Sequence, residues 1–539
     1  MKKAVRIQKS DEQLAEGKLS AMRRLVTWAL EQVKRAKRKL RWNAHWFLPN
    51  HIPHPDRAAK TNQAEDDLHE NEETRITPGH LRLEAVWGVE LYGPTELDAL
   101  CKSVDKLGWK MLGASTGHIP VSAWIREQTS MGEGSWLNIG RVLPKGDASK
   151  SFVVDNFAPL PHGVRSLLAT VTQVTPSLTA VAVAFELDQS NSILYETEFN
   201  RNRVTRYARI KGARRRVATL TPGSQKRKGM ESVRDHHRAL VATWFRDHLP
   251  GFFSARENAG TAPSLELISA EFGLLLQHPS STEPGWRRFL ADYLRWDVWA
   301  SPDWTGLELA VPNYRRDTTG QHIVAAVDRS AISEEMLLHY GSDMHAAILF
   351  RAHEYLRDNL RSAALIAYLQ RQARDIALTR EALKRARCAR RSVKVTLDEI
   401  GKFFDRTLGS PSVARELRRM SEITSSCRLS DYEFNSPGWS SGDSPRRLSE
   451  TLRFNVSRLA VRLCEEDSLI REHLEQMSAI LSVRESVRAQ AQTKLLTIAA
   501  TLIALGSLLV ALYPRPELTK LLNELWIFST SAAHTLRAP

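Results

Sequence analysis

Three short stretches carry residue types whose spacing could do chemistry. GASTG (Gly113 to Gly117) matches the G-x-S-x-G pattern, in which a tight strand-to-helix turn exposes a nucleophilic serine, here Ser115. That chemistry also needs a strand before the turn, a helix after it, a His and an acid, and an oxyanion donor loop. Only Trp109 to Leu112 precedes the pattern, itself after a helical stretch, and no HGGG-like loop occurs. The stretch reads as a turn, and a serine hydrolase is kept as an alternative.

The second stretch, Asp235-His236-His237, has the composition of a metal-phosphoesterase signature. It lies in ESVRDHHRALVATWF, which reads as helix, and no aspartate-rich companion precedes it, so a surface or core His pair is expected. The third is the set His339, His345 and His353. His353-Glu354 opens like HExxH, but position 357 is Arg. Neither GxxxxGK[ST] nor GxGxxG occurs, so nucleotide binding has no local support. No catalytic, metal or cofactor-binding residue is assigned, and no cofactor is expected.

The elements around these stretches say more about place than about reaction. The 539 residues are long enough for two to four domains. Lys and Arg outnumber Asp and Glu by 76 to 61, a formal charge of +15, which favours an anionic partner. Four dispersed cysteines without a CxxC pair fit a reducing compartment and argue against a zinc ribbon or a disulfide framework.

Residues 1–53 are expected to hold a basic amphipathic helix. Leu19, Met22, Val26, Ala29, Val33, Ala36 and Leu40 recur at steps of three and four, and the other faces carry Lys34, Arg35, Lys37, Arg38, Lys39 and Arg41, with Trp28, Trp42 and Trp46 nearby. Such a helix suits a coiled-coil arm or a face packed on its own protein, and equally an anionic membrane surface. Residues 54–76, with six acids between Glu65 and Glu73, are expected as a flexible linker.

An α+β domain with an antiparallel or mixed sheet is expected over 77–330. HLRLEAVWGVELYG alternates as a strand, PTELDALCKSVDKLG reads as a helix closed by Gly108, and two β-rich runs flank Thr175-Pro176-Ser177 as a hairpin. Residues 201–228 form a basic insertion that includes Arg214, Arg215 and Arg216. Tyr207 is its only aromatic, so the interleaved rings of a single-strand nucleic-acid face are missing, and a solvated loop or a lipid- or phosphate-facing patch is the better reading.

A helical domain is expected over 331–433, a linker over 434–447, a heptad-like stalk helix over 448–494, a transmembrane helix over 495–513 and an amphipathic tail over 514–539. Leu495 to Tyr513 contains no charged residue and no Asn, Gln, His or Pro, and spans roughly 28 Å as a helix. Ala500, Ala504, Ser507 and Ala511 follow one face, where small residues allow close helix packing and self-association. The layout resembles that of CorA-type magnesium channels, but their Gly-Met-Asn signature is absent and YPRPE stands in its place, so no residue role carries over.

With no signal peptide visible, the expectation is a single-pass protein of the cell inner membrane, its bulk cytoplasmic. It would act as a non-enzymatic sensor or scaffold that binds an acidic protein or anionic lipid and forms a homo-oligomer. A pore or channel assembled through the span is the other alternative.

Overall fold

The protein's computed structural model describes residues 2–47, 57–112, 118–131, 134–146, 156–209, 217–255, 262–271, 296–312, 322–340, 343–388, 398, 400–404, 409–422, 432–436 and 445–512, with 520, 523, 524 and 526. The chain divides into two compact units: residues 1–371 with 409–462, and residues 372–408 with 463–539. These cut across the boundaries drawn from sequence, because two long helices run through both.

The first unit is built on one mixed sheet. Its strands are β1 (Leu81–Tyr92), β4 (Trp136–Leu143), β5 (Asn156–Phe157), β6 (Val164–Thr175), β7 (Leu178–Leu187), β10 (Ser264–Ala270), β11 (Trp296–Ala300), β12 (Leu307–Pro312) and β13 (His322–Asp328). They lie in the order β11-β12-β13-β10-β1-β7-β6-β4-β5. β10 pairs parallel with β13 and β4 with β5, while the other neighbours are antiparallel. The β6–β7 hairpin turns at Pro176-Ser177, and every residue of β7 is buried, as its unbroken apolar run requires of a central strand. The remaining strands pair as two short hairpins, β2 (Lys110–Leu112) with β3 (His118–Pro120) and β8 (Arg206–Arg209) with β9 (Val217–Leu220).

One face of the sheet packs on α3 (Leu97–Leu107), α4 (Val121–Met131), α6 (Leu194–Asn200) and α7 (Pro222–His248) in a single hydrophobic core. Gly108 ends α3 at φ 73°, the left-handed conformation that glycine adopts without cost. At Gly88 on β1 a Cβ would stand 2.2 Å from Val241 Cγ1, so the missing side chain is what lets α7 settle on the strand.

The basic N-terminal stripe forms α1 (Lys2–Phe47). Residues 57–73, expected to be a flexible linker, instead form α2 (Arg57–Glu73). The acids order it, because they have partners. Asp67 accepts from the Thr205 amide (2.8 Å) and hydroxyl, Glu70 accepts from the Gly223 amide (2.8 Å), and Asn71 bonds both backbone groups of Arg203. The short α5 (Gln189–Ser192) is capped by Asp188. α8 (Glu334–Tyr340) precedes α9 (Met344–Cys388), one helix without Gly or Pro, and α10 (Ser410–Glu422) follows.

The last helix, α11, runs without interruption over Leu448–Leu512. Within the first unit it buries Leu452, Val456 and Ala460; within the second it buries Leu463, Ile470 and Leu474, as α9 there buries Ile376. The heptad stripe from Leu452 to Leu474 is therefore spent inside the chain and is not a free coiled-coil seam.

Candidate functional site: exposed helices and a buried polar cluster

Two kinds of site stand out. The first is apolar and uncovered. Residues Leu495 to Leu512 of α11 are exposed throughout, with Leu496 and Ile503 each 70% accessible. This is the one stretch among the described residues long and apolar enough to cross a membrane, and none of its window is buried. A surface of this size in water far exceeds the few hundred Å² that soluble proteins leave bare. Inside it, the Thr497, Thr501 and Ser507 hydroxyls donate to carbonyls four residues back, at 2.8 to 2.9 Å, so its polar side chains are satisfied within the helix. Ala500, Ala504, Ser507 and Ala511 all lie exposed on this helix.

α1 is uncovered as well. From Lys18 to Asn43 its residues are exposed apart from Gln32 and Trp42. Lys34, Arg35, Lys37, Arg38, Lys39 and Arg41 form no ion pair among the described residues. Arg214, Arg215 and Arg216 lie outside the described residues, as does Ser115. Around them the basic insertion is less solvated than its composition implies. Arg203 pairs with Glu198, and Lys226 is buried, its Nζ donating to Thr74 Oγ1 and the Phe199 carbonyl, each at 2.6 Å. Burial pushes the Lys226 ammonium down to about 8.

The second kind of site is polar and sealed. Glu266 on β10 is 1% exposed; its Oε1 accepts from Arg234 Nε of α7 at 2.9 Å, and its Oε2 accepts from the Tyr195 hydroxyl of α6. His322, opposite Ser264 in the parallel register of β10 and β13, places Nε2 at 3.2 Å from Glu266 Oε2 and Nδ1 at 2.8 Å from Ser264 Oγ. Burial raises the Glu266 carboxyl, but Arg234 and then His322 outweigh it and hold it well below the usual carboxylate range. Ser264, His322 and Glu266 stand in the order of a nucleophile, base and acid, and all three are buried.

Beside the cluster, His237 is buried and neither ring nitrogen has a hydrogen-bond partner among the described residues. Burial pushes it down to about 4. Its neighbours His236 and Asp235 face solvent, and Asp235 pairs with Arg238 at 3.4 Å. On a helix three consecutive residues point about 100° apart, so this trio does not converge. Among the described residues no group of three or more His, Cys, Asp or Glu could hold a metal. His353, on the opposite face of the sheet, accepts from Trp87 Nε1 at 3.0 Å and contacts Thr170 Oγ1 at 2.8 Å, while His345 meets Glu84 at 3.1 Å.

A second carboxylate is buried on β1. Glu90 accepts from the backbone amides of Phe253 (2.6 Å) and Ser254 (2.8 Å), in a turn where a Cβ on Gly251 would stand 2.4 Å from Glu90 Cγ. Burial outweighs these donors and raises its carboxyl to about 7. Sequence reading missed both acids. The available signal was a lone Glu inside an apolar strand, at SLELISA and VWGVELY, which must find a countercharge or donors when both faces are covered.

No family model matches the chain, and no curated protein matches it.

Proposed function

We propose that this is a membrane-anchored, non-enzymatic sensor or scaffold protein, held by the C-terminal part of α11, that binds an anionic partner and self-associates. The observation that carries the reading is the charge-free, fully exposed stretch Leu495 to Leu512. A bilayer removes that surface from water, which stabilises by roughly 25 cal/mol per Å² of apolar area covered. In this reading the sheet domain and α9 stand on the cytoplasmic side of the inner membrane as a single-pass protein. The small-residue face at Ala500, Ala504, Ser507 and Ala511 is where second copies approach.

Flotation of the purified full-length protein with lipid vesicles tests the proposal. Co-flotation that survives alkaline carbonate supports an integral anchor, and protein left at the bottom of the gradient contradicts it.

A further inference from the structure

The partner can be named more closely from α1. Leu19, Met22, Val26, Leu30, Val33 and Leu40 fall within an arc of about 80° at 3.6 residues per turn, and each is more than half exposed. Arg24, Arg35, Arg38 and Lys39 fall on the opposite side, with Lys34 and Arg41 along the border and Lys37 within the apolar arc, in line with Leu19. From Lys18 to Phe47 the only carboxylate is Glu31. Two acids of the helix next in sequence are engaged elsewhere, since Asp67 and Glu70 accept from Thr205 and Gly223.

We propose that α1 lies flat on the anionic surface of the same bilayer that α11 enters, so that the chain holds its membrane at two points. This rests on the anchoring reading above. An anionic lipid surface is the one occupant that takes both faces: acyl chains cover the apolar arc, and Lys37 and the border cations Lys34 and Arg41 snorkel to the headgroups. Nucleic acid would neutralise the cations but leave the apolar arc in water. A second α1 would cover the arc but set Lys34, Lys37 and Arg41 against their own copies. Each cation near an anionic surface adds enough that three of them change partitioning by about two orders of magnitude at low salt.

The test is backbone hydrogen exchange over residues 19–42 of the full-length protein, reconstituted into phosphatidylcholine vesicles with or without phosphatidylglycerol. Carbonate retention is scored in the same samples. The expected result is exchange slowed about tenfold or more only with phosphatidylglycerol. In the variant carrying Lys37→Gln, Arg38→Gln and Lys39→Gln, exchange should return to the phosphatidylcholine value while the protein stays carbonate-resistant. Gln keeps the helix, so loss of protection in this variant reports charge and not unfolding. Retained protein with the same exchange in both vesicles overturns the inference and leaves the anchor standing. Protection in lipid-free detergent that grows with protein concentration overturns it in favour of a second copy. Release by carbonate removes the anchor, and the inference with it.

Discussion

Arg234 Nη2 and Glu266 Oε1 meet at 2.9 Å between helix α7 and strand β10, and both side chains are almost wholly sealed from solvent. A charge at such depth is tolerated only with its counter-ion in place. Glu266→Gln or Arg234→Met is therefore expected to destabilise the sheet unit by about 3–5 kcal/mol, read as a lowered denaturant midpoint. The double variant Arg234→Met with Glu266→Leu should recover much of that loss. Single variants as stable as the parent would show that the pair is not buried.

Acid should loosen the same unit through its histidines. Burial holds His237 at about 4 and His353 at about 3, below the ordinary value of 6.5. The unfolded chain therefore binds these protons first as pH falls, so stability is full above about 6.5 and declines toward 4 and below. Glu90, raised to about 7, works the other way between 4.5 and 7, where the folded state holds the extra proton. Burial also pushes His322 and, less deeply placed, His248 down, so the histidines together are expected to outweigh Glu90 and the net slope over pH 4.5–6.5 to favour higher pH. Denaturant titrations across that range measure it. His353→Gln should flatten the slope by about one proton, and an unchanged slope would count against a neutral buried His353.

Much of the fold was legible because apolar period and turn chemistry agree. The run at β7, the hairpin at Pro176-Ser177, the Gly108 stop of α3 and the uninterrupted α9 and α11 each satisfy local rules that tertiary packing then reinforces. α2 was not legible, because its acids are stabilised by amides of residues more than 130 positions away. Glu266 and Glu90 were hidden for the same reason. Their partners, Arg234 and the Phe253–Ser254 amides, become neighbours only once α7 and the turn after it fold over the sheet. The exposed helices were the easier reading, since a charge-free stretch and a one-sided cationic stripe are properties of the sequence itself.

Where α7 crosses β1, volume is the constraint. Gly88→Ala places a methyl 2.2 Å from Val241 Cγ1 and is expected to cost about 1–3 kcal/mol, with Val241→Ala in the same chain restoring part of it. Thermal melts of the parent and of these two variants decide this. An unshifted Gly88→Ala melt would mean that the helix yields freely at this point.

Self-association through α11 makes its own demand. Ala504→Leu combined with Ala511→Leu widens the small-residue face without adding charge, so insertion should be unchanged while crosslinked oligomers in the membrane fraction fall several-fold. Equal crosslinking in parent and variant would place the contact elsewhere on the chain.

The most direct measurement is membrane fractionation of the full-length chain beside a form truncated after Gln490, with alkaline carbonate extraction of both pellets. The account predicts that the full-length protein stays in the carbonate-resistant pellet and that the truncated form is released. If the full-length protein is released too, Leu495 to Leu512 does not cross a membrane, and the anchored reading is contradicted.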